Sequence, residues 1–301
     1  MSISPFLQKH AVKAQWLQLL ESGDLRPYVY VRSGNHIALP GSRHRLDWFP
    51  WQPIFVEPLN LDEIEFAESI YHLENNAFGP ASMAIPRWVF YDCAVVPGFV
   101  AGFAMKTDKL SPAMRKAMAI DSRGYHEWTP ISLFIIIPTM KRGEWVAHNL
   151  CAINSLLAEE KDRFYALGFL SKAFGLWYAN VDYCCGMTQW GNTAIKLHSH
   201  YGHMEILTSY TPVHSHAKTI TYRSSVDVGC WEKFFTREPD YGFLEKYEPS
   251  GLMIDTLQES SMIDLHRRIQ NGDGPFFLGA LDISAKKLTE PLIVYRMKGN
   301  E

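Results

Sequence analysis

The sequence predicts an α+β fold, in which strands and helices are interleaved along the chain. Three observations predict this class. Residues 129–138 form a continuous, β-branched apolar run closed by a proline, which is typical of a buried strand. Apolar side chains then follow at helical spacing over residues 143–157. Beyond residue 157, helix and strand patterns alternate and end in two consecutive strands, at 204–210 and 218–223.

The segment before this apolar run also contains helices and strands. In order, we predict a helix (6–21), a strand (28–31), a strand (53–59), a helix ending near residue 76, a hairpin (87–94 and 99–106) and a short helix (111–119). Asn60 is predicted to cap the second helix, with Glu63 completing a capping box. The turn Val96-Pro97-Gly98 is predicted to join the two strands of the hairpin.

After residue 157 the pattern supports a smaller set of elements. We predict a helix (161–174), a strand (178–188), a short helix (191–201), the two strands already given, a helix (259–269), a turn (272–275) and a last strand (291–296). We therefore divide the chain into an N-terminal helical extension (1–52), a core (53–225) and a C-terminal addition packed on the core (226–301).

The composition excludes several functional classes. The chain has 301 residues, of which 47% are hydrophobic and 20% charged, as in ordinary globular proteins. A formal net charge of −3 gives no basic field for nucleic acid, and no apolar run is long enough to span a bilayer. The N-terminus has no signal-peptide pattern. The 5 cysteines form no Cys-x-x-Cys motif, so we expect reduced thiols and a cytoplasmic setting.

A basic turn follows the apolar strand. Its residues are Thr139-Met140-Lys141-Arg142-Gly143, and the predicted helix starts near Gly143. Free backbone N–H groups and the helix dipole at such a position favour an anion, typically a phosphate. The alternative is an ordinary helix start with a solvated basic turn.

The order of elements from residue 53 to residue 223, together with the local sequences, resembles the GNAT acyltransferase superfamily. The family turn is Arg or Gln, two residues, Gly, one residue, then Gly or Ala, and this chain matches it at Arg142 and Ala147. Residues 191–203 are similar to the family's final helix, with Ala194, Leu197 and Gly202 in register and Asn192 one place off. The resemblance covers a little over half of the chain, and it implies a mixed, mostly antiparallel central sheet flanked by helices.

The resemblance implies a site for a thioester donor, either acetyl-CoA or another acyl-CoA, with phosphopantetheine on an acyl carrier protein as a variant. A strand splays in that family, and its backbone holds the pantetheine arm. The implied donor-site residues are Ile136, Ile137, Arg142, Gly143, Trp145, Ala147 and Asn192. Trp145 stands where the family usually has glycine, a residue that lets backbone N–H groups approach a pyrophosphate closely.

The implied reaction is transfer of the acyl group to a small-molecule amine by direct attack. His198 occupies the position of the family tyrosine that protonates the departing thiolate, and an imidazole can donate a proton near neutral pH. Tyr201, one helical turn further, is a second candidate acid. Glu127, at the start of the apolar strand, is the candidate carboxylate base. Each of the three also has a plain structural interpretation, as a packed or solvated side chain.

Two other functional classes stay open. A non-catalytic protein on the same scaffold would bind a ligand or partner. The position of the Trp145 ring distinguishes it from the enzyme: a ring in the donor groove favours a binding protein, and a ring in the core favours the enzyme. A metal-dependent enzyme could use His214 and His216, with His203 as a third ligand. His198 and His200 form a second His-x-His pair, but they do not face each other on the predicted helix. Cys184 and Cys185 are typical of strand packing.

Overall fold

The fold is that of a computed structural model. It describes residues 14–34, 52–95, 98–122, 126–159, 163–164, 166–212, 216–226, 243–281 and 291–299. The α+β class is confirmed, because helices flank a mixed and mostly antiparallel sheet. None of the described helices combines the length and the hydropathy needed to cross a membrane. The cytoplasmic setting stays a prediction.

The described helices and strands alternate along the chain. The helices are α1 (Ala14–Glu21), α2 (Ile64–Phe78), α3 (Arg87–Val95), α4 (Pro112–Ala117), α5 (Leu167–Tyr178), α6 (Ala194–His198), α7 (Phe243–Lys246) and α8 (Glu259–Gln270). The strands are β1 (Leu25–Tyr30), β2 (Ile54–Val56), β3 (Phe99–Lys106), β4 (Trp128–Pro130), β5 (Ser132–Pro138), β6 (Glu144–Ala152), β7 (Tyr183–Gln189), β8 (Gly202–Thr208), β9 (Thr219–Val226), β10 (Tyr247–Ile254), β11 (Phe276–Leu278) and β12 (Leu292–Met297).

The described strands form one sheet in the order β10-β12-β11-β8-β9-β7-β6-β5-β3-β1-β2, with β4 paired to β3. Two neighbouring pairs are parallel, β1 with β2 and β6 with β7. Strand β1 lies between β2 and β3, so a strand from the predicted N-terminal extension is inserted in the sheet. The C-terminal strands continue the sheet beyond β8. The boundaries of the three predicted domains remain a prediction.

Helices α2 and α5 lie on opposite faces of the central strands. Phe134 of β5 packs on the α5 face, where a Cβ on Gly175 would meet its ring at 2.6 Å. Ser132, two residues earlier and on the same face, accepts a hydrogen bond from Ser171 of α5 at 2.7 Å. Asn149 of β6 bonds instead to Glu74 of α2. A helix therefore packs against each face of the sheet near β6, and α5 is buried along almost its whole length.

The helix predicted over residues 143–157 is wrong. Residues 144–152 form the strand β6, and the 3-10 helix Ile153–Leu156 follows directly. The pairing with β5 shifts by one residue, from Phe134↔Leu150 to Ile136↔Ala147, so β6 contains a β-bulge. The bulge interrupts the two-residue alternation of a strand. The apolar side chains of the strand and the following turn consequently fall at spacings that imitate a helix.

The first strand of the predicted hairpin is also wrong. Residues 87–95 form helix α3, which buries Phe90, Cys93 and Ala94, at the spacing of a helix face. Their aromatic and β-branched neighbours favour strands on propensity alone, but Pro86 directly before the segment is a helix-start signal. The Asn60 cap is confirmed, since its side chain accepts from the amide of Asp62 at 3.1 Å ahead of α2.

Candidate functional site

Strands β6 and β7, which α5 connects, separate at one end and leave a gap in the sheet. Parallel pairing between β6 and β7 involves Glu144↔Tyr183, Trp145↔Cys184 and Val146↔Cys185. Beyond these pairs β6 continues along β5, and β7 continues along β9. The two strands therefore separate toward their carboxyl ends, where the chain enters α5. In sheets with parallel strands, ligands bind at this end, and anions bind there against helix N-termini.

The turn that leads into α5 repeats the basic-turn pattern described above. Arg163, Ala166 and Gly168 follow the spacing Arg, two residues, Gly, one residue, Gly or Ala, with alanine in place of the first glycine. Ala166 has a φ of 55°, in the left-handed region that favours glycine. Within the described chain no side chain caps α5, and its first turn contains no acidic residue. The backbone amides at the start of α5 therefore suit an anion.

Hydrogen bonds hold this turn in place. The side-chain oxygen of Asn154 accepts from the amide of Phe164 at 2.8 Å, and its side-chain nitrogen donates to the carbonyl of Phe164. The guanidinium of Arg163 donates to the carbonyl of Leu157 through Nε at 3.1 Å and Nη2 at 2.7 Å. The exposed Arg163 side chain is thereby anchored beside the entrance to α5.

Arg142 and Gly143 lie in a different setting from the one predicted. They belong to the hairpin turn between β5 and β6, and the exposed Arg142 is at the amino end of β6. Gly143 has a φ of 77°, and a Cβ there would lie 2.0 Å from the Asp182 carboxylate. Its carbonyl accepts from the amides of Asp182 and Tyr183. Gly143 is therefore needed for a tight turn and a close approach to β7, and no helix starts there.

The other predicted donor-site residues are distributed around the bulge and α6. Ile136 is buried on the α5 face opposite Ala147, and Ile137 is half-buried on the other face. Trp145 is 4% exposed and packs edge-on against Phe99, with 5.8 Å between the ring centroids. Asn192 is exposed, and its side-chain oxygen accepts from the amide of Ala194, the first residue of α6.

His198 belongs to a buried polar cluster on the α5 face. Lys172 Nζ lies 3.0 Å from His198 Nδ1 and donates to the hydroxyl of Tyr222 at 3.2 Å. The Lys172 ammonium also lies 4.7 Å from the ring centroid of Tyr201. Burial, and secondly the charge of Lys172, hold the pKa of His198 well below its usual range. The imidazole is therefore neutral at pH 7, and we call this group the sealed cluster (Lys172, His198, Tyr222).

Tyr201 and Glu127, the other predicted catalytic residues, have different surroundings. Tyr201 is buried, donates to the carbonyl of Phe169 at 2.8 Å and stacks on the Phe169 ring. Glu127 is exposed just before β4, and its carbonyl accepts from the amide of Thr107. The structure thus brings His198 and Tyr201 together around Lys172, whereas Glu127 is at the start of another strand.

The histidines and cysteines offer no metal site within the described residues, where no group of three possible ligands comes together. His200 Nε2 lies 2.6 Å from the carbonyl of Leu281, and His203 Nδ1 lies 3.0 Å from the hydroxyl of Tyr247. His214, part of the second predicted pair, is outside the described residues. Cys184 is buried, and burial raises the pKa of its thiol, as for a packed interior cysteine.

Comparisons with known proteins give a structural similarity only. No protein-family profile and no curated protein sequence match the chain. It is similar to the solved NatC complex bound to Gag peptide and coenzyme A, at 13% identity and a TM-score of 0.38, over 56% of this chain and 96% of that one. It is also similar to a protein assigned as an acyl-CoA N-acyltransferase from Klebsiella pneumoniae subsp. pneumoniae MGH 78578, at 12% identity and a TM-score of 0.29, over 56% and 92%.

Both TM-scores are low, so the fold is assigned from the connectivity of the chain itself. The order β6, α5, β7, α6, β8, β9 includes a parallel pair that separates, a crossover helix and two final antiparallel strands. This is a GNAT-like fold.

Proposed function

We propose that this protein is an N-acyltransferase that moves an acyl group from an acyl-CoA to an amine by direct attack. One observation carries the proposal: the left-handed Ala166 in an Arg-x-x-Ala-x-Gly turn, at the N-terminus of α5, where β6 and β7 separate. Helix N-terminal amides and an adjacent guanidinium are a combination that binds phosphate groups.

The rest of the donor would follow from this position. With its diphosphate on the amides at the start of α5 and on Arg163, coenzyme A would direct its pantetheine arm between β6 and β7. The extra residue of a bulge is left out of strand pairing, so the bulge in β6 offers a backbone N–H to the thioester oxygen. Ala147, which pairs with Ile136 beside the bulge, would line the same passage.

The acceptor and the acid are further parts of the proposal. We propose an amine acceptor, with a small molecule as the expected class. His198 and Tyr201 remain the proposed acids for the thiolate, and Glu127 remains the predicted base. The neutral His198 imidazole would act as a hydrogen-bond donor to sulfur, since its pKa is held too low for it to carry a second proton at pH 7.

The binding-protein alternative loses support from Trp145. Its ring packs against Phe99 in the main core, so it does not occupy the gap between β6 and β7. A Trp145 ring in the core favours the enzyme over the binding protein. A donor on acyl carrier protein is the weaker variant, because a carrier-bound arm has a single phosphodiester, whereas several amides together with Arg163 suit a diphosphate.

Thermal unfolding with acetyl-CoA tests the donor site. A ligand at a hundred times its dissociation constant stabilises the folded state by about 2.7 kcal/mol, which is a measurable shift in the melting temperature. We expect this shift for the wild-type protein, a much smaller one for Arg163→Ala, and the full shift for Arg142→Ala, the matched control in the other basic turn.

Two results would contradict the proposed donor site. The absence of a shift with acetyl-CoA or coenzyme A would reject free acyl-CoA as the donor. A shift lost in Arg142→Ala but kept in Arg163→Ala would move the phosphate site to the β5–β6 hairpin turn.

A further inference from the structure

The bulge in β6 places two consecutive side chains on one face of the sheet. Ala147 pairs with Ile136 and Leu150 pairs with Phe134, and both partners face α5. Because neighbours alternate along a strand, the two residues between them, His148 and Asn149, must both face α2. Their side chains meet there, with 3.0 Å between His148 Nδ1 and Asn149 Oδ1.

A buried carboxylate lies below this pair. Glu74 of α2 is 0% exposed. Its Oε1 accepts from the side-chain nitrogen of Asn149 at 2.7 Å and from the amide of Ile85 at 3.1 Å. Its Oε2 is buried and has no hydrogen-bond partner among the described residues. A buried carboxyl group with an unused oxygen is costly, and retaining one indicates a role beyond packing.

These contacts determine which nitrogen of His148 carries the proton. Glu74 Oε1 accepts, so Asn149 must present its NH₂ group to Glu74 and its oxygen to His148. An amide oxygen only accepts, so the facing Nδ1 of His148 must hold the hydrogen. In the neutral imidazole the lone pair is then on Nε2. The His148 side chain is exposed, and this nitrogen can reach a ligand.

We propose that His148 is the catalytic base for the acceptor amine, with Asn149 and Glu74 as positioning residues. This inference rests on the proposed function. The amine nitrogen attacks the thioester carbonyl carbon, the C–N bond forms and the C–S bond breaks. The surplus amine proton passes to Nε2 of His148. Coenzyme A leaves as a thiolate and takes up one proton, so that the products are an amide and the free thiol.

The position of His148 suits this role better than that of Glu127, the predicted base, which is exposed just before β4. His148 lies in the bulge of β6, beyond Val146, where the pairing with β7 has ended. The α2 face at the bulge is thus the side from which an acceptor would approach a thioester held along β6. Imidazole is the commonest general base in enzymes, and a hydrogen bond from its other nitrogen fixes its tautomer and orientation.

Nitrogen NMR of the histidine rings tests the relay without any substrate. In the wild-type protein we expect neutral His148 to carry its proton on Nδ1. In Asn149→Ala we expect the proton to move to Nε2, the form that a free imidazole prefers. Asn76→Ala, which removes an exposed amide of α2, should leave the tautomer unchanged. An Nε2–H tautomer in the wild type, or an unchanged Nδ1–H tautomer in Asn149→Ala, would overturn the inference.

Acetyl transfer tests the base itself. With acetyl-CoA and a panel of primary amines, release of thiol should fall roughly 10²- to 10⁴-fold in His148→Gln, the range for loss of a general base. The melting shift with acetyl-CoA should persist, and His203→Gln in β8 should keep wild-type activity. An unchanged rate in His148→Gln would overturn the base assignment and leave the proposed function intact. A wild-type protein that acetylates none of the amines would reject both.

Discussion

Two buried polar groups lie on opposite faces of the central sheet, and they differ in whether they reach the surface. On the α5 face, every member of the sealed cluster is buried: Lys172 at 0%, Tyr222 at 1% and His198 at 7% exposure. On the α2 face, the chain Glu74–Asn149–His148 begins at a buried carboxyl and ends at an exposed imidazole.

This difference in exposure shows how a buried polar network can acquire a function. A closed network satisfies its own donors and acceptors, and it contributes mainly to the fixed packing of the elements that provide it. A network with one exposed end fixes the orientation of a group that a ligand can contact. The comparison predicts that removal of the Lys172 ammonium mainly lowers stability, whereas damage to the open chain mainly alters chemistry.

The largest stability effect should come from Lys172→Met. Methionine keeps most of the volume but leaves His198 Nδ1 and the Tyr222 hydroxyl without this partner, at a cost of roughly 2–4 kcal/mol in unfolding free energy. Denaturant unfolding measures this cost, with Lys116→Met, at an exposed position of α4, as a control that should stay within about 0.5 kcal/mol. The His148 tautomer should not change. A Lys172→Met protein of wild-type stability would show that the cluster does not hold α5 in place.

A smaller effect should come from Glu74→Gln, and it should depend on pH. Burial raises the pKa of Glu74 above its usual value, so the protonated form is favoured by folding. The associated stability is complete below the unfolded-state pKa and is lost as pH rises through the folded-state pKa. Each unit of pKa difference is worth about 1.4 kcal/mol.

Glutamine has no such titration and keeps an oxygen for Ile85 and Asn149. The unfolding free energy of Glu74→Gln relative to the wild type should therefore increase as pH is raised from the acid range through the folded-state pKa. Denaturant unfolding at a series of pH values measures this difference. A difference that is constant across the series would mean that the Glu74 carboxyl titrates alike in both states.

Much of the fold follows from local sequence patterns. Strands β8 and β9, helix α8 and the Asn60 cap ahead of α2 were predictable because each has clear periodicity or capping chemistry. Strand β6 was not, because its bulge removes the alternation on which strand prediction depends. Misplacing β6 also put a helix start at Gly143, next to the predicted phosphate turn, where the structure has the amino end of a strand.

The candidate site was predictable only in part. The pattern at Arg163, Ala166 and Gly168 was present in the sequence, but alanine stands at its first glycine position. Only the left-handed φ of Ala166 shows that this residue has the backbone conformation that glycine favours. The contact between Asn149 and Glu74 joins residues 75 positions apart, so no local pattern could indicate it. Burial of His198 beside Lys172 likewise depends on the packing of separate elements.

We propose the N-terminus of α5 as the site that binds the diphosphate of coenzyme A. Backbone amide NMR of the labelled protein, titrated with coenzyme A, tests it directly. We predict that the largest shift changes occur at the amides of Leu167, Gly168 and Phe169, with little change at Arg142 and Gly143. Changes confined to the β5–β6 hairpin turn, or no change at saturating coenzyme A, would contradict a diphosphate site at the N-terminus of α5.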